Sequence, residues 1–225
     1  METIDNTPDP PSVSQPAVVR PAPINVKVRF PQGSIAIRPN LWHNWTSIAL
    51  RAETRAVAAH ERGLMTGDTA RALEDETLES MVAVSAARHA FHHLYLEWWQ
   101  LLALKPENDE SKVPELATTD VSTDPAKRKH WLGDLQDIVD DRNLIVHLVQ
   151  ESRPVVPHSL GTNTSELDAL FTAERATRAV DLLLDFYHRV FTAPTPALAA
   201  WAAKRRHVPG QFHDARARYQ ADPSR

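Results

Sequence analysis

Apolar residues recur at helical spacing along most of the chain, from Asn40 to about residue 206. The pattern predicts helices over 41–62, 68–104 (one long helix or two joined ones), 126–150, 166–191 and 197–206. Gly63 and Gly67 bracket the first break, and the prolines and acidic residues of 106–124 predict a loop. The predicted fold class is therefore mainly α, an up-and-down helical bundle of about four helices.

The first 39 residues have a different pattern. Prolines mixed with Ser, Thr and Asp over 1–23 predict a proline-rich disordered leader. Apolar residues alternate with period two on both sides of Pro31-Gln32-Gly33, which predicts a short β-hairpin over 24–39. The predicted organisation is a leader (1–23), a hairpin extension (24–39), a helical bundle (40–194), and a basic C-terminal helix and tail (195–225).

Composition narrows the possible functions. The formal net charge of -4 at pH 7 gives no argument for nucleic-acid binding from bulk charge. The absence of cysteine excludes a disulfide framework, a thiolate zinc site and a cysteine nucleophile, and it fits a cytoplasmic location. The acidic start is not that of a signal peptide, and the most apolar helix carries Arg88, three histidines and Glu97, so no membrane span is predicted. The chain has six glycines and no Gly-rich phosphate loop, so no cofactor is predicted.

The candidate chemistry lies in the six-residue run from Arg142 to His147, within the helix predicted over 126–150. Arg142 falls on the apolar stripe between Val139 and Val146, where an unpaired guanidinium costs desolvation. Arg142 and His147 lie roughly 140° apart around a straight helix and about 7.5 Å apart along it. Asn143 and His147, at i and i+4, share a face, so Asn143 is expected to orient the imidazole.

A single straight helix does not bring Arg142 and His147 together, but a second copy of the helix, or a distorted last turn, would. A two-fold axis places the same patch of both subunits side by side, so a homodimer is expected to assemble the pair. The run resembles the motif of the HEPN domain superfamily, in which an arginine is followed by a polar residue and, a few residues later, by a histidine. Arg142, Asn143 and His147 match these three positions, and the resemblance covers roughly residues 40–193.

The resemblance implies a homodimer with Arg142 and His147 of both subunits in a shared cleft. It also implies a metal-independent endoribonuclease of toxin or antiviral-defence type, with an antitoxin or a defence-system protein as partner. His147 would act as general acid and base, Arg142 would stabilise phosphate charge, and Asn143 would support them. RNA would be cut to leave 2′,3′-cyclic phosphate ends.

Three aspartates next to Arg142 leave an alternative open. Asp137, Asp140 or Asp141 could neutralise the guanidinium in a structural salt bridge. The chain would then be a non-catalytic HEPN-like module that binds a nucleotide or a partner protein. A plain helical interaction protein is a third interpretation. An enzyme requires Arg142 to be available in an open cleft, whereas a module would bury it against one of these aspartates.

A second cluster lies on the helix predicted over 68–104. His89, His93 and Glu97 fall at i, i+4 and i+8, on one face. Two histidines at that spacing can hold zinc, but the alternative is a half-buried helix whose histidines pack against aromatic residues. We favour packing and predict no metal site.

The aromatic residues of the same helix are Phe91, Tyr95, Trp98 and Trp99. Such a set can form a base-stacking platform, but at helical spacing it is more typical of a core or a dimer interface.

Two basic segments are candidate RNA-binding surfaces. They are Lys127, Arg128 and Lys129 at the start of the motif helix, and Lys204, Arg205 and Arg206 before the C-terminal tail. The alternative for either segment is a solvated charged surface.

Overall fold

The computed structural model of the protein describes residues 41–101, 125–146, 154–196 and 198–224. These residues are mainly helical, with one small two-stranded antiparallel sheet. The helices are α1 (Leu41–Thr66), α2 (Thr69–Leu101), α3 (Pro125–Val146), α4 (Glu166–Leu170), α5 (Ala173–Thr192), α6 (Ala199–Ala203) and α7 (Val208–Ala221). The strands are β1 (Val155–Pro157) and β2 (Asn163–Ser165), with Val156 opposite Thr164.

α1 and α2 form an antiparallel helical hairpin. Gly67 joins them with a φ of 72°, a left-handed conformation that glycine adopts without steric cost. Near the turn, the helices approach so closely that a Cβ added to Gly63 would lie 2.7 Å from the Cβ of Ala72. At the far end, the Trp42 indole N–H donates to the Glu97 carboxylate at 2.6 Å. The hairpin is therefore in contact along its whole length.

α5 packs against this hairpin, and α3 packs against α2 and α5. The Tyr187 hydroxyl meets the Thr46 hydroxyl at 2.7 Å near the start of α1, so α5 runs antiparallel to α1. Asp141 of α3 pairs with Arg175 at the start of α5, and α3 runs antiparallel to α5. The largest fully buried side chains of the core are aromatic, namely Trp42, Tyr95, Trp98, Phe171, Tyr187 and Phe191. Burial of such side chains is the main source of stability in a helical fold.

The helix predicted over 166–191 is wrong in one respect, because it is broken after α4. Thr172 adopts an extended backbone and its hydroxyl accepts from the N–H of Arg175 at 3.3 Å, so α5 begins with a side-chain cap at this point. The sequence also did not predict β1 and β2, which are only three residues each.

Two other boundaries differ from the predictions. Gly63 lies inside α1, which continues to Thr66, so only Gly67 marks the break. The helix predicted over 197–206 is shorter, and the predicted basic tail contains α7, which packs on α1 and α5. The predicted leader (1–23) and hairpin (24–39), the loop over 106–124 and the motif helix after Val146 lie outside the described residues.

Candidate functional site

Arg142 lies in the last turns of α3 and is half-buried. Its Nη1 donates to the side-chain oxygen of Asn143 at 3.2 Å. Its Nε is buried and has no hydrogen-bond partner within the described part of the chain. A buried donor without a partner costs about 1–3 kcal/mol, and more when the group is charged.

The three aspartates expected to compete for Arg142 bond to other side chains. Asp141 is buried and accepts from Nε and Nη2 of Arg175, both at 2.6 Å. This bidentate contact raises the pKa of Arg175 above its usual value. Asp137 accepts from Arg178 at 3.0 Å.

Asp140 is also occupied, since it accepts from the Gln136 side chain at 3.0 Å. Among the residues that the structure describes, none of the three aspartates hydrogen-bonds Arg142. A purely structural role for Arg142 predicts a salt bridge to an aspartate of its own helix, and the described contacts do not include one.

Asn143 accepts a hydrogen bond from Arg142, and its predicted contact with His147 lies outside the described residues. Its amide oxygen is used by the guanidinium, which leaves its NH₂ group as a donor for a neighbouring acceptor. His147 lies outside the described residues, immediately after the end of α3 at Val146. The convergence of Arg142 and His147 therefore stays a prediction.

Some residues of the two basic segments are exposed to solvent, and Arg205 is bound to other side chains of the protein. Lys129, Lys204 and Arg206 are exposed, and the side chains of Lys127 and Arg128 lie outside the described part. Arg205 donates to Glu97 at 2.9 Å and lies over the Trp201 ring at 4.7 Å. Because this cation–π contact and ion pair hold Arg205 against the protein, it is the least available for RNA of the four described side chains.

The histidine cluster of α2 is not assembled as a metal site. Glu97 accepts hydrogen bonds from Trp42, Trp201 and Arg205. The His89 ring stacks on Trp45 with centroids 4.8 Å apart, as expected of a histidine packed against aromatic residues. In the ranges described, no group of three or more His, Asp or Glu residues could hold a metal ion.

The aromatic residues of α2 belong to the core. Phe91, Tyr95 and Trp98 are at most 5% exposed, so they cannot stack on a base without unfolding, and the side chain of Trp99 lies outside the described part. The preference for a core over a stacking platform is confirmed for these three residues.

A second polar cluster was missed by the sequence analysis. His60 of α1, Glu76 of α2 and His158, which follows β1, line one cavity of about 440 Å³. In the α1–α2 hairpin, positions that lie about equally far before and after the turn at Gly67 face each other, as Gly63 and Ala72 do. The same rule would have paired His60 with Glu76, but no sequence signal points to His158.

No family model, curated protein or solved structure matches the chain. None of the described helices is both long and apolar enough to cross a membrane.

Proposed function

We propose that the chain is a metal-independent endoribonuclease of HEPN type, with a toxin or antiviral-defence role. In this proposal a helical bundle of about four helices forms a cytoplasmic homodimer. Arg142 and His147 of both subunits share an RNA-binding cleft, and an antitoxin or another defence protein controls the activity.

The observation that carries the proposal is that, among the residues the structure describes, no carboxylate hydrogen-bonds Arg142. Asp137, Asp140 and Asp141 each bond to another side chain, and the buried Nε of Arg142 has no partner in the described residues. A half-buried guanidinium in this state is stabilised by an anion. Phosphate is the natural match, because the planar guanidinium presents paired N–H donors to two phosphate oxygens.

The bond between Asp141 and Arg175 supports this use of Arg142. It anchors the residue directly before Arg142 to the first turn of α5 through two bonds of 2.6 Å. A catalytic cation requires a fixed position, because a fixed charge stabilises a transition state without reorganising.

The chemistry requires one base, one acid and one cation. His147 removes the proton from a ribose 2′-hydroxyl, and the 2′-oxygen attacks the adjacent phosphorus. The bond to the 5′-oxygen breaks, and the leaving oxygen takes a proton from an imidazolium. Arg142 stabilises the added negative charge on the phosphoryl oxygens. The products are a 2′,3′-cyclic phosphate and a 5′-hydroxyl.

The test is cleavage of a mixed cellular RNA pool by the purified full chain in EDTA. Arg142→Ala and His147→Ala are compared with Arg189→Ala and His188→Ala, whose side chains lie on the exposed surface of α5. We expect cleavage by the wild type and both control variants, and a loss of about 100-fold or more in the first two.

An inert wild type, or equal cleavage by all variants, overturns the catalytic assignment. Nucleotide titration then tests the alternative, a non-catalytic HEPN-like module. In that case the guanidinium of Arg142 would serve only to bind a phosphate group.

A further inference from the structure

The cavity of about 440 Å³ lies where the first turn of α5 meets the α1–α2 hairpin and the turn between β1 and β2. Its size falls in the range of about 300–1,000 Å³ that is typical of small-molecule sites. The lining residues are His60, Glu76, Pro157, His158, Ser159, Ala169, Thr172, Ala173 and Glu174. Two imidazoles and two carboxylates thus share one concave surface.

Glu76 fixes the protonation pattern of His60. The Glu76 side chain is fully buried, and one of its oxygens accepts from the backbone N–H of Ala173 at 2.7 Å. The other oxygen lies 2.9 Å from Nδ1 of His60. A carboxylate oxygen accepts hydrogen bonds, so Nδ1 of His60 is the donor of this contact. In the neutral ring Nε2 of His60 is then an acceptor, on a side chain that is 23% exposed.

His158 has the opposite pattern. The backbone N–H of Leu160 donates to its Nδ1 at 3.1 Å, so the ring proton is on Nε2. The residue is only 7% exposed. The Nε2–H group is buried and has no partner among the described residues. This donor therefore carries an unmet desolvation cost, which a ligand oxygen would remove.

We propose that this cavity is a binding site for an uncharged small molecule that carries hydroxyl groups, such as a free sugar or the ribose of a nucleoside. One ligand hydroxyl donates to Nε2 of His60 and accepts from Nε2–H of His158. The ring centroids are 6.4 Å apart, which lets one oxygen reach both rings through hydrogen bonds of about 2.8 Å when the two Nε2 atoms face each other. Because Nε2 of His158 is covered in the free protein, binding includes a small rotation of this ring toward the cavity.

The charges of the cavity determine the ligand class. Glu76 and Glu174 both line it, so a phosphate or carboxylate group would be repelled at short range. A hydroxyl group is both donor and acceptor, and it satisfies one imidazole of each kind. This site is separate from Arg142 and does not depend on the ribonuclease proposal.

The experiment is a titration of the ¹⁵N-histidine-labelled full chain with ribose, adenosine, adenosine 5′-monophosphate and inorganic phosphate. In the free protein we expect the Nδ1–H form of His60 and the Nε2–H form of His158. Ribose and adenosine should shift both rings, with adenosine 5′-monophosphate weaker by about tenfold and inorganic phosphate without effect. Ribose binding indicates a sugar site, and binding of adenosine alone indicates a nucleoside site.

His60→Gln should weaken binding by about tenfold, since one hydrogen bond to the ligand is lost, whereas His188→Gln should not change it. The absence of any shift in either ring with ribose and adenosine overturns the proposal. Stronger binding of phosphate than of adenosine also overturns it. The wild-type titration decides both points even if His60→Gln does not fold.

Discussion

Buried charges in this protein have partners, and Arg142 stands apart from them. Among the described residues, the buried carboxylates are Glu53, Glu76 and Asp141. Each accepts hydrogen bonds from a basic side chain or a backbone N–H, as low-dielectric surroundings demand. The buried Nε of Arg142 lacks such a bond in the described residues. An unsatisfied buried donor of this kind marks a position that a ligand can use.

The two ion pairs between α3 and α5 allow a matched test. The Asp141–Arg175 pair is 10% and 25% exposed, whereas the Asp137–Arg178 pair is 50% and 49% exposed. Asp141→Asn should lower the free energy of unfolding by about 2 kcal/mol, because Arg175 keeps its charge in a partly desolvated position. Asp137→Asn should change it by less than about 0.5 kcal/mol, because exposed pairs are screened. Urea unfolding measures both, and equal losses would show that burial does not distinguish the two pairs.

The sequence placed the three aspartates beside Arg142 but could not assign their partners. Arg175 and Arg178 lie more than thirty residues further along the chain. Their pairing depends on how α5 packs against α3, and local pattern does not encode that packing. The contact between His60 and Glu76 could have been predicted from the sequence, because a turn at Gly67 fixes which positions of α1 and α2 face each other.

At the scale of elements, long periodic segments were predicted well and short ones were not. The apolar pattern correctly located α1, α2 and the described part of α3. It failed at Thr172, where a single hydroxyl cap restarts the helix, and at the three-residue strands, which are too short to show alternation. The C-terminal tail was predicted only from its basic residues. In the structure it contains α7, and Arg216 of this helix donates to Glu53.

The docking of α7 depends on Arg216. Its Nε lies 3.0 Å from one Glu53 oxygen and 3.1 Å from the other, and its Nη1 donates to Asp181 at 2.6 Å. Arg216→Met should lower the free energy of unfolding by about 3 kcal/mol, because Glu53 is left buried without its cation. Arg218→Met, which changes an exposed arginine of the same helix, is the control and should have little effect.

A double variant separates two effects of Arg216→Met: the loss of the attraction between Arg216 and Glu53, and the cost of leaving the Glu53 carboxylate buried without a cation. Burial raises the pKa of Glu53, and the bonds from Arg216 oppose that rise. Glu53→Met combined with Arg216→Met should therefore recover most of the stability lost in Arg216→Met. Denaturant unfolding of the four proteins gives the coupling energy, and additive losses would contradict the pairing.

At the scale of the whole described domain, the two ends of the helices differ in chemistry. One end, at the start of α1 and the ends of α2 and α5, is aromatic and contains Trp42, Trp98, Tyr187, Phe191 and Trp201. The other end is polar, because the first turn of α5 contacts Glu76 and, through Arg175, Asp141. The aromatic end supplies burial, and both candidate sites are attached to the polar end.

The aromatic end also predicts how stability depends on pH. His43 lies 4.0 Å from the Trp42 ring and 5.1 Å from the Phe212 ring, between centroids. Its pKa is lowered, first by burial and then by the charges of Arg205 and His207, although Glu97 opposes them. The unfolded chain thus binds a proton near pH 6.5 that the folded protein takes up only at lower pH.

Stability contributed by His43 is therefore complete above the unfolded pKa and is lost as the pH falls through that value toward the lowered folded pKa. His43→Gln cannot take up this proton, so its free energy of unfolding should fall less between pH 7.5 and 5.5 than that of the wild type. His188→Gln, at an exposed position, should keep the wild-type slope. Urea unfolding at several pH values measures the slopes, and identical slopes for wild type and His43→Gln would show that protonation of His43 is not coupled to folding of the aromatic end.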